Sequence, residues 1–200
     1  MDTAAKIQEL HELGQSYRFV LEMQRISRSA AEGDEESSLI LETMLAECSA
    51  KDWRTRNYWC SAVVHAMANT RADRALSALI QHIKALPASM AFGPVELIAS
   101  LLPVFESRAL APAFEMADSD NPTIRAIGLQ VLCNFYLEDL LPDGETERLE
   151  TLLRDFRRDD YMTQHVADLV RFKASRVKRT EDENEIEEMF ADILVENTGG

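Results

Sequence analysis

Residues 110–132, which read LAPAFEMADSDNPTIRAIGLQVL, decide how this 200-residue chain folds. Apolar side chains recur every three or four residues on both sides of a short polar break, a spacing typical of two amphipathic helices. The break at 118–122 carries short polar side chains that can accept the N–H groups at the start of a helix, and Pro122 suits the first helical position. The stretch therefore predicts a helical hairpin.

The same pattern of helical runs separated by polar breaks recurs along the chain. Helical runs begin near Ser37, Ala72, Arg108 and Gly144, which are 35, 36 and 36 residues apart. Each unit has a first run, a polar or proline-containing break and a second run, which we predict at 37–49 and 52–69, 72–86 and 94–107, 108–117 and 122–140, and 144–157 and 160–179. A constant period in the mid-thirties indicates an array of four helical hairpins.

The third unit resembles one HEAT repeat. That pattern has leucines on a first helix, an Asp-x-Asp-x-Pro turn, and an apolar-Arg pair with small residues on a second helix. In this chain the turn is formed by Asp118, Asp120 and Pro122, and the second helix has Arg125 and Gly128. The first unit resembles the pattern more loosely, with Trp59 in place of the small residue, and the second and fourth units share the period alone. The resemblance implies a short HEAT-like α-solenoid over 37–179, with the second helices lining its inner curve.

Composition agrees with an all-α protein. The chain holds only seven Gly and six Pro, and 46% of its side chains are hydrophobic, so it suits packed helices better than turn-rich β architecture. Its net charge of -14 disfavours phosphate backbones and anionic membranes over most of the surface. HEAT-like proteins include DNA glycosylases with a basic concave face, but residues 1–150 carry 13 basic and 23 acidic side chains. A nucleic-acid enzyme is therefore the least favoured hypothesis.

The two ends flank the array as separate segments. We interpret residues 1–36 as a helical cap, built on one helix over 2–31 with apolar positions that include Tyr17, Val20 or Leu21, and a weak point at Gly14. Residues 151–179 carry eight basic and four acidic side chains, whereas 180–200 carry eight acidic and no basic ones. Residues 180–195 predict an acidic amphipathic helix, either a terminal cap or a displaceable partner-binding helix.

Targeting signals and cysteine usage favour the cytoplasm. The N-terminus lacks a basic segment followed by an apolar one, and we find no 18-residue apolar stretch, so we expect neither secretion nor a membrane span. Cys48, Cys60 and Cys133 have no CxxC spacing and lie in apolar runs, where a thiol behaves as a small hydrophobe. The oligomeric state stays open.

Catalytic and metal-binding patterns are missing from the sequence. The four histidines, His11, His65, His82 and His165, are not paired as H-x-x-x-H, and no phosphate-binding loop or nucleophile elbow occurs. His165 and Asp168 lie one helical turn apart and could share a metal, but such a spacing is common on a solvated helix face. We therefore expect that the chain is not an enzyme and that it binds neither a metal nor a cofactor.

The candidate binding surface lies on the second helices. There we expect Trp59 inside and Trp53 or Tyr58 at the rim, where an amphipathic ring suits a binding hot spot. The protein-binding candidates are Trp53, Arg54, Asn57, Tyr58, Ser61, His65, Gln130, Asn134, Gln164, Asp168 and Arg171.

These features predict a non-catalytic module for protein–protein interaction, a scaffold or adaptor that presents a curved, mostly acidic surface. Its partner is expected to be a protein of basic or mixed charge. The alternative is an inhibitor or immunity protein that occludes a basic toxin or nuclease.

Overall fold

The computed structural model describes residues 3–155, 163, 165–168, 170 and 171, and all regular structure among them is helical. The prediction of an all-α protein is confirmed. A 3₁₀ helix, Leu102–Ala109, joins α7 to α8. The α-helices are α1 Thr3–Leu13, α2 Tyr17–Ala31, α3 Glu35–Ala46, α4 Ala50–Thr55, α5 Asn57–Asn69, α6 Asp73–Lys84, α7 Phe92–Leu101, α8 Leu110–Ala117, α9 Pro122–Leu137 and α10 Asp143–Asp155.

Local capping explains where several helices begin. Asp34 accepts a hydrogen bond from the backbone N–H of Ser37 at the start of α3. Ser49 and Asp52 form a reciprocal capping box on α4, and Asn121 accepts from two backbone N–H groups at the start of α9. Such caps satisfy N–H groups that lack a partner inside the helix. Because they depend on neighbouring residues only, the breaks near 49–52 and 118–122 were predictable.

The N-terminal segment differs from the prediction of one helix over 2–31. Gly14 has a φ of +57°, a conformation that favours glycine, and the chain turns there before Ser16 caps α2. The turn resets the helical phase, so the predicted apolar positions Tyr17 and Leu21 are exposed. The buried side of α2 consists instead of Phe19, Met23, Ile26, Ser27 and Ala30.

A second difference lies between α7 and α8. The predicted helix over 94–107 begins earlier, at Phe92, and continues as the 3₁₀ helix. Within that helix Glu106 has a φ of 57° and a ψ of -145°, which is strained for a residue other than glycine.

Residues Phe92–Ala117 together form a helical stretch long and apolar enough to cross a membrane, by length and composition only. The most apolar window has a mean hydropathy of 1.3, and 39% of it is buried within the fold. This finding qualifies the expectation that no such stretch occurs. A core helix of a soluble protein passes the same test, and Val95, Ile98 and Phe105 are all buried here.

The helices pack in two rows. In the first row α3 contacts α1 and α6, and α6 contacts the 3₁₀ helix. In the second row α2, α5, α7 and α9 contact one another in chain order. The rows are joined by the contacts of α3 with α2 and α5, of α6 with α5, and of α8 with α9. One hydrophobic core runs between them from Leu10 to Val170.

Hydrogen bonds and ion pairs between neighbouring elements recur at a similar sequence separation. Those that join one predicted segment or unit to the next connect residues 29 to 41 positions apart, among them Trp53 to His82, Ser27 to Ala66, Lys84 to Glu115, Asn121 to Leu86, Asn134 to Ala99, Thr163 to Pro122, and Arg74 to Glu35 and Glu42. The separations match the period of the sequence.

The backbones of α8 and α9 approach closely at Gly128. A Cβ atom placed there would lie 2.4 Å from the Ala117 nitrogen and 2.7 Å from the Ala113 oxygen. A residue with a side chain therefore does not fit at this position without a shift of the backbone. The cysteines also behave as expected of small hydrophobes, since Cys48, Cys60 and Cys133 are all buried and free of disulfides.

Candidate functional site

The helices α2 and α5 form the two sides of an open groove. The hydroxyl of Ser27 donates a 2.6 Å hydrogen bond to the carbonyl oxygen of Ala66, which fixes the helices side by side. A cavity of about 370 Å³ opens between their solvent-facing sides. It is lined by Val20, Gln24, Tyr58, Ser61, Ala62, His65, Ala66 and Asn69.

A second cavity continues the first toward the ends of both helices. Its volume is about 340 Å³, and it shares Gln24 and Asn69 with the first cavity. Its other lining residues are Ser27, Arg28 and Ala31. Because Val20 and Tyr58 lie at one end and Ala31 and Asn69 at the other, α2 and α5 run in the same direction and the groove follows them both.

One large exposed side chain, Tyr58, lines the first cavity, and two more, Tyr17 and Leu21, are exposed elsewhere, on α2. Tyr17 is 71% exposed, Leu21 45% and Tyr58 47%. Residues three, four and seven positions apart share one face of a helix, so Tyr17 and Leu21 lie on the same side of α2 as Gln24 and Arg28. Exposed aromatic and aliphatic groups beside a cavity provide apolar area for a bound segment.

The lining of the groove contains no carboxylate and one cation, Arg28, although the chain has a net charge of -14. Partial desolvation lowers the pKa of His65 below its ordinary value, so its ring is neutral at pH 7. The neutral ring, the Ser61 hydroxyl and the Gln24 and Asn69 amides can each donate and accept hydrogen bonds. The groove is therefore locally neutral to basic.

Three of the predicted candidates, Tyr58, Ser61 and His65, meet in this groove. Asn57 is exposed at the first position of α5. Arg54 is also exposed and lines a separate cavity of about 60 Å³ with Pro87 and Ser89. Of the candidates predicted on the first unit, three therefore share one groove and the others lie outside it.

Of the two rings expected at the rim, Tyr58 is exposed and Trp53 is buried. Trp53 is only 3% exposed, and its indole N–H donates a 3.3 Å hydrogen bond to Nε2 of His82. Its side chain connects α4 to α6. Trp59 is buried as predicted, and its ring stacks with those of His11 and Phe19.

The remaining candidates lie elsewhere. Gln130 and Asn134 are half-buried on α9, and the Asn134 amide donates to the Ala99 carbonyl of α7. Asp168 is exposed, Arg171 is half-buried and donates to the Leu153 carbonyl, and Gln164 lies outside the described residues. Asn134 and Arg171 thus connect parts of the fold, and Gln130, Asn134, Asp168 and Arg171 do not line the groove.

Sequence reasoning missed the α2 side of the groove. Val20, Gln24 and Arg28 were assigned to a terminal cap, and the phase of α2 was taken from the residues before Gly14. The available signal was Ser16, a preferred capping residue directly after glycine, which indicates a new helix start. Assigning the phase from Ser16 would have left Tyr17, Gln24 and Arg28 on the exposed side.

Comparisons with models of protein families, with curated proteins and with solved structures found no match. In the described part of the chain, no group of three or more His, Cys, Asp or Glu side chains is arranged to hold a metal ion. The site is accordingly defined by the groove itself: apolar at one end, hydrogen-bonding along its length and basic at the other end.

Proposed function

We propose that this chain is a short HEAT-like α-solenoid. The proposal is supported by the two rows of helices and by the bonds between predicted units at separations of 29 to 41 residues. Stacked helical hairpins bury their apolar faces against their neighbours only, and such contacts repeat at the length of one unit. On this interpretation α2 and α5 belong to the row that lines the inner curve.

We further propose that the chain is a non-catalytic protein-binding module, a scaffold or adaptor, and that the α2–α5 groove is its binding site. The observation that carries this proposal is the convergence of Ser61, His65 and the exposed Tyr58 on one groove. Binding energy in protein interfaces concentrates in such aromatic anchors, surrounded by hydrogen-bonding groups. A segment of a partner protein fits a groove that follows two parallel helices.

The partner is a protein of mixed charge. The chain as a whole is acidic, which favours the approach of basic surfaces, whereas the groove itself carries only Arg28 and neutral groups. A partner that places an apolar, uncharged or acidic segment in the groove and basic groups around it satisfies both parts of the surface.

Photo-crosslinking from inside the groove tests this function. A benzophenone amino acid at position 58 is expected to capture one dominant protein in the native cell. The matched control replaces Leu39 of α3, which is 46% exposed against 47% for Tyr58 and lies on the other row.

The affinity of the purified partner for the chain and its variants then tests the proposed binding site. The captured protein, once purified, should bind the unmodified chain at least about fivefold more tightly than it binds the Tyr58→Ala variant, because losing an anchor costs more than about 1 kcal/mol. Leu39→Ala should leave the affinity unchanged. Equal capture at positions 39 and 58, or equal affinity of the two variants, would reject the groove as the binding site.

A further inference from the structure

The groove has the chemistry to receive an acidic amphipathic helix, and the chain contains one such sequence. We propose that residues 180–195 of this chain occupy the α2–α5 groove of the same molecule and that an external partner must displace them. This inference rests on the proposed function, because it names the kind of segment that the groove binds.

One arginine makes the groove attractive to carboxylates. Arg28 lines the groove, is exposed on α2 and forms no ion pair within the described residues. Arg25 of the same helix is already bound to Glu22. Residues 180–200 carry eight acidic and no basic side chains, so the two charge patterns are complementary.

The apolar parts also match in length. The predicted helix presents Ile186, Met189, Phe190 and Ile193 on one side, a stripe of about 10 Å at 1.5 Å per residue. The groove follows α2 from Val20 to Ala31, which is about 16 Å by the same measure. The stripe therefore fits within the length of the groove, where Val20, Ala62 and Tyr58 offer apolar surface.

The described end of the chain lies close enough for this contact. The His165 ring is 4.9 Å from the Phe92 ring at the start of α7, and α7 packs directly on α5. Two helix spacings, about 20 Å, thus separate this region from the groove. Residues 172–185 can span up to about 48 Å when extended. A tethered segment within reach has an effective concentration in the millimolar range, which favours the same molecule over a second copy.

The proposal is tested in the full chain by a benzophenone amino acid at position 190. The expected result is a crosslink within one molecule to the tryptic peptides 19–25 or 57–71, which contain the groove sides of α2 and α5. Position 191 is the matched control, because it lies on the opposite side of the predicted helix and should crosslink to these peptides at least about threefold less.

Charge reversal adds a second measurement. Arg28→Glu should lower the yield of the crosslink from position 190 by about threefold, whereas Arg54→Glu, an exposed arginine outside the groove, should not change it. Crosslinks between two molecules, crosslinks to 144–171, or no crosslink to α2 and α5 would each overturn the proposal.

The failure of this inference is distinguishable from failure of the proposed function. In the full chain, Phe190→Asp should increase the capture of the cellular partner by the benzophenone at position 58, and Ala191→Asp should not. If position 58 captures the partner equally in all three chains, the groove binds its partner but residues 180–195 do not occupy it. If position 58 captures nothing in any of them, the proposed function is wrong.

Discussion

At Gly128 the contact between α8 and α9 is made by backbone atoms rather than by side chains. Gly128→Ala should destabilise the fold by about 1–3 kcal/mol, because the new Cβ would overlap the Ala117 nitrogen and the Ala113 oxygen and force the helices apart. Urea unfolding monitored by circular dichroism measures the effect.

The control for this substitution is Gly144→Ala in α10. A Cβ atom there meets nothing within 4 Å, so the stability should stay unchanged or rise by up to about 1 kcal/mol, because alanine favours helices more than glycine does. If both variants behaved alike, the close crossing of α8 and α9 would be wrong.

His82 makes the stability depend on pH. Its ring is largely buried and accepts the hydrogen bond of Trp53, and burial lowers its pKa to about 4, from the ordinary value of 6.5. Since the unfolded chain binds the proton more readily than the folded one below pH 6.5, stability should fall as the pH drops from 6.5 toward 4. Between pH 7 and pH 5 this residue should account for a loss of about 2 kcal/mol.

Urea unfolding of His82→Gln at several pH values checks this. The glutamine oxygen can still accept from Trp53, but it does not titrate, so the loss between pH 7 and pH 5 should be smaller by about 2 kcal/mol than in the unmodified chain. Between pH 7 and pH 8 the two curves should run parallel. A loss of equal size in both proteins would show that other groups cause the acid sensitivity.

At the scale of helices, Asn121 connects two elements through one side chain. Its Oδ1 accepts from the N–H groups of Thr123 and Ile124 at the start of α9, and its Nδ2 donates to the Leu86 carbonyl 2.9 Å away. Asn121→Ala should cost about 1–2 kcal/mol, since it removes both the cap and the connection.

Asn121→Asp separates the two roles of this residue. The carboxylate keeps the cap but cannot donate to Leu86, so it should cost less than Asn121→Ala, by about 0.5 kcal/mol or more in urea unfolding. Equal losses for Asp and Ala would mean that the link to Leu86, rather than the cap, dominates the stability at this site.

The elements that could be predicted from the sequence are those whose ends depend on adjacent residues. The cap at Asn121 and the capping box at Ser49 are local, and both breaks were predicted. The turn at Gly14 was missed because an isolated glycine is compatible with an uninterrupted helix as well as with a helix end. The groove was predicted only on its α5 side, because the packing of α2 against α5 joins residues 39 positions apart.

At the scale of the whole molecule, stability in a stacked array is the sum of contributions from units and from the contacts between neighbours. The second row passes from α2 through α5 and α7 to α9, and each helix contacts the next. A local defect should therefore weaken nearby units more than distant ones. Gly128→Ala is the suitable defect, since it disturbs the contact of α8 with α9.

Hydrogen exchange measured by mass spectrometry tests this expectation under native conditions. In Gly128→Ala, exchange should accelerate strongly in α8 and α9, to a smaller extent in α7, and least in α1 to α3, because only adjacent units share buried contacts. Gly144→Ala should leave the exchange of α1 to α9 unchanged. If Gly128→Ala accelerated exchange equally from α1 to α9, the chain would open as one cooperative unit, and the proposal of a HEAT-like stack with neighbour contacts alone would be wrong.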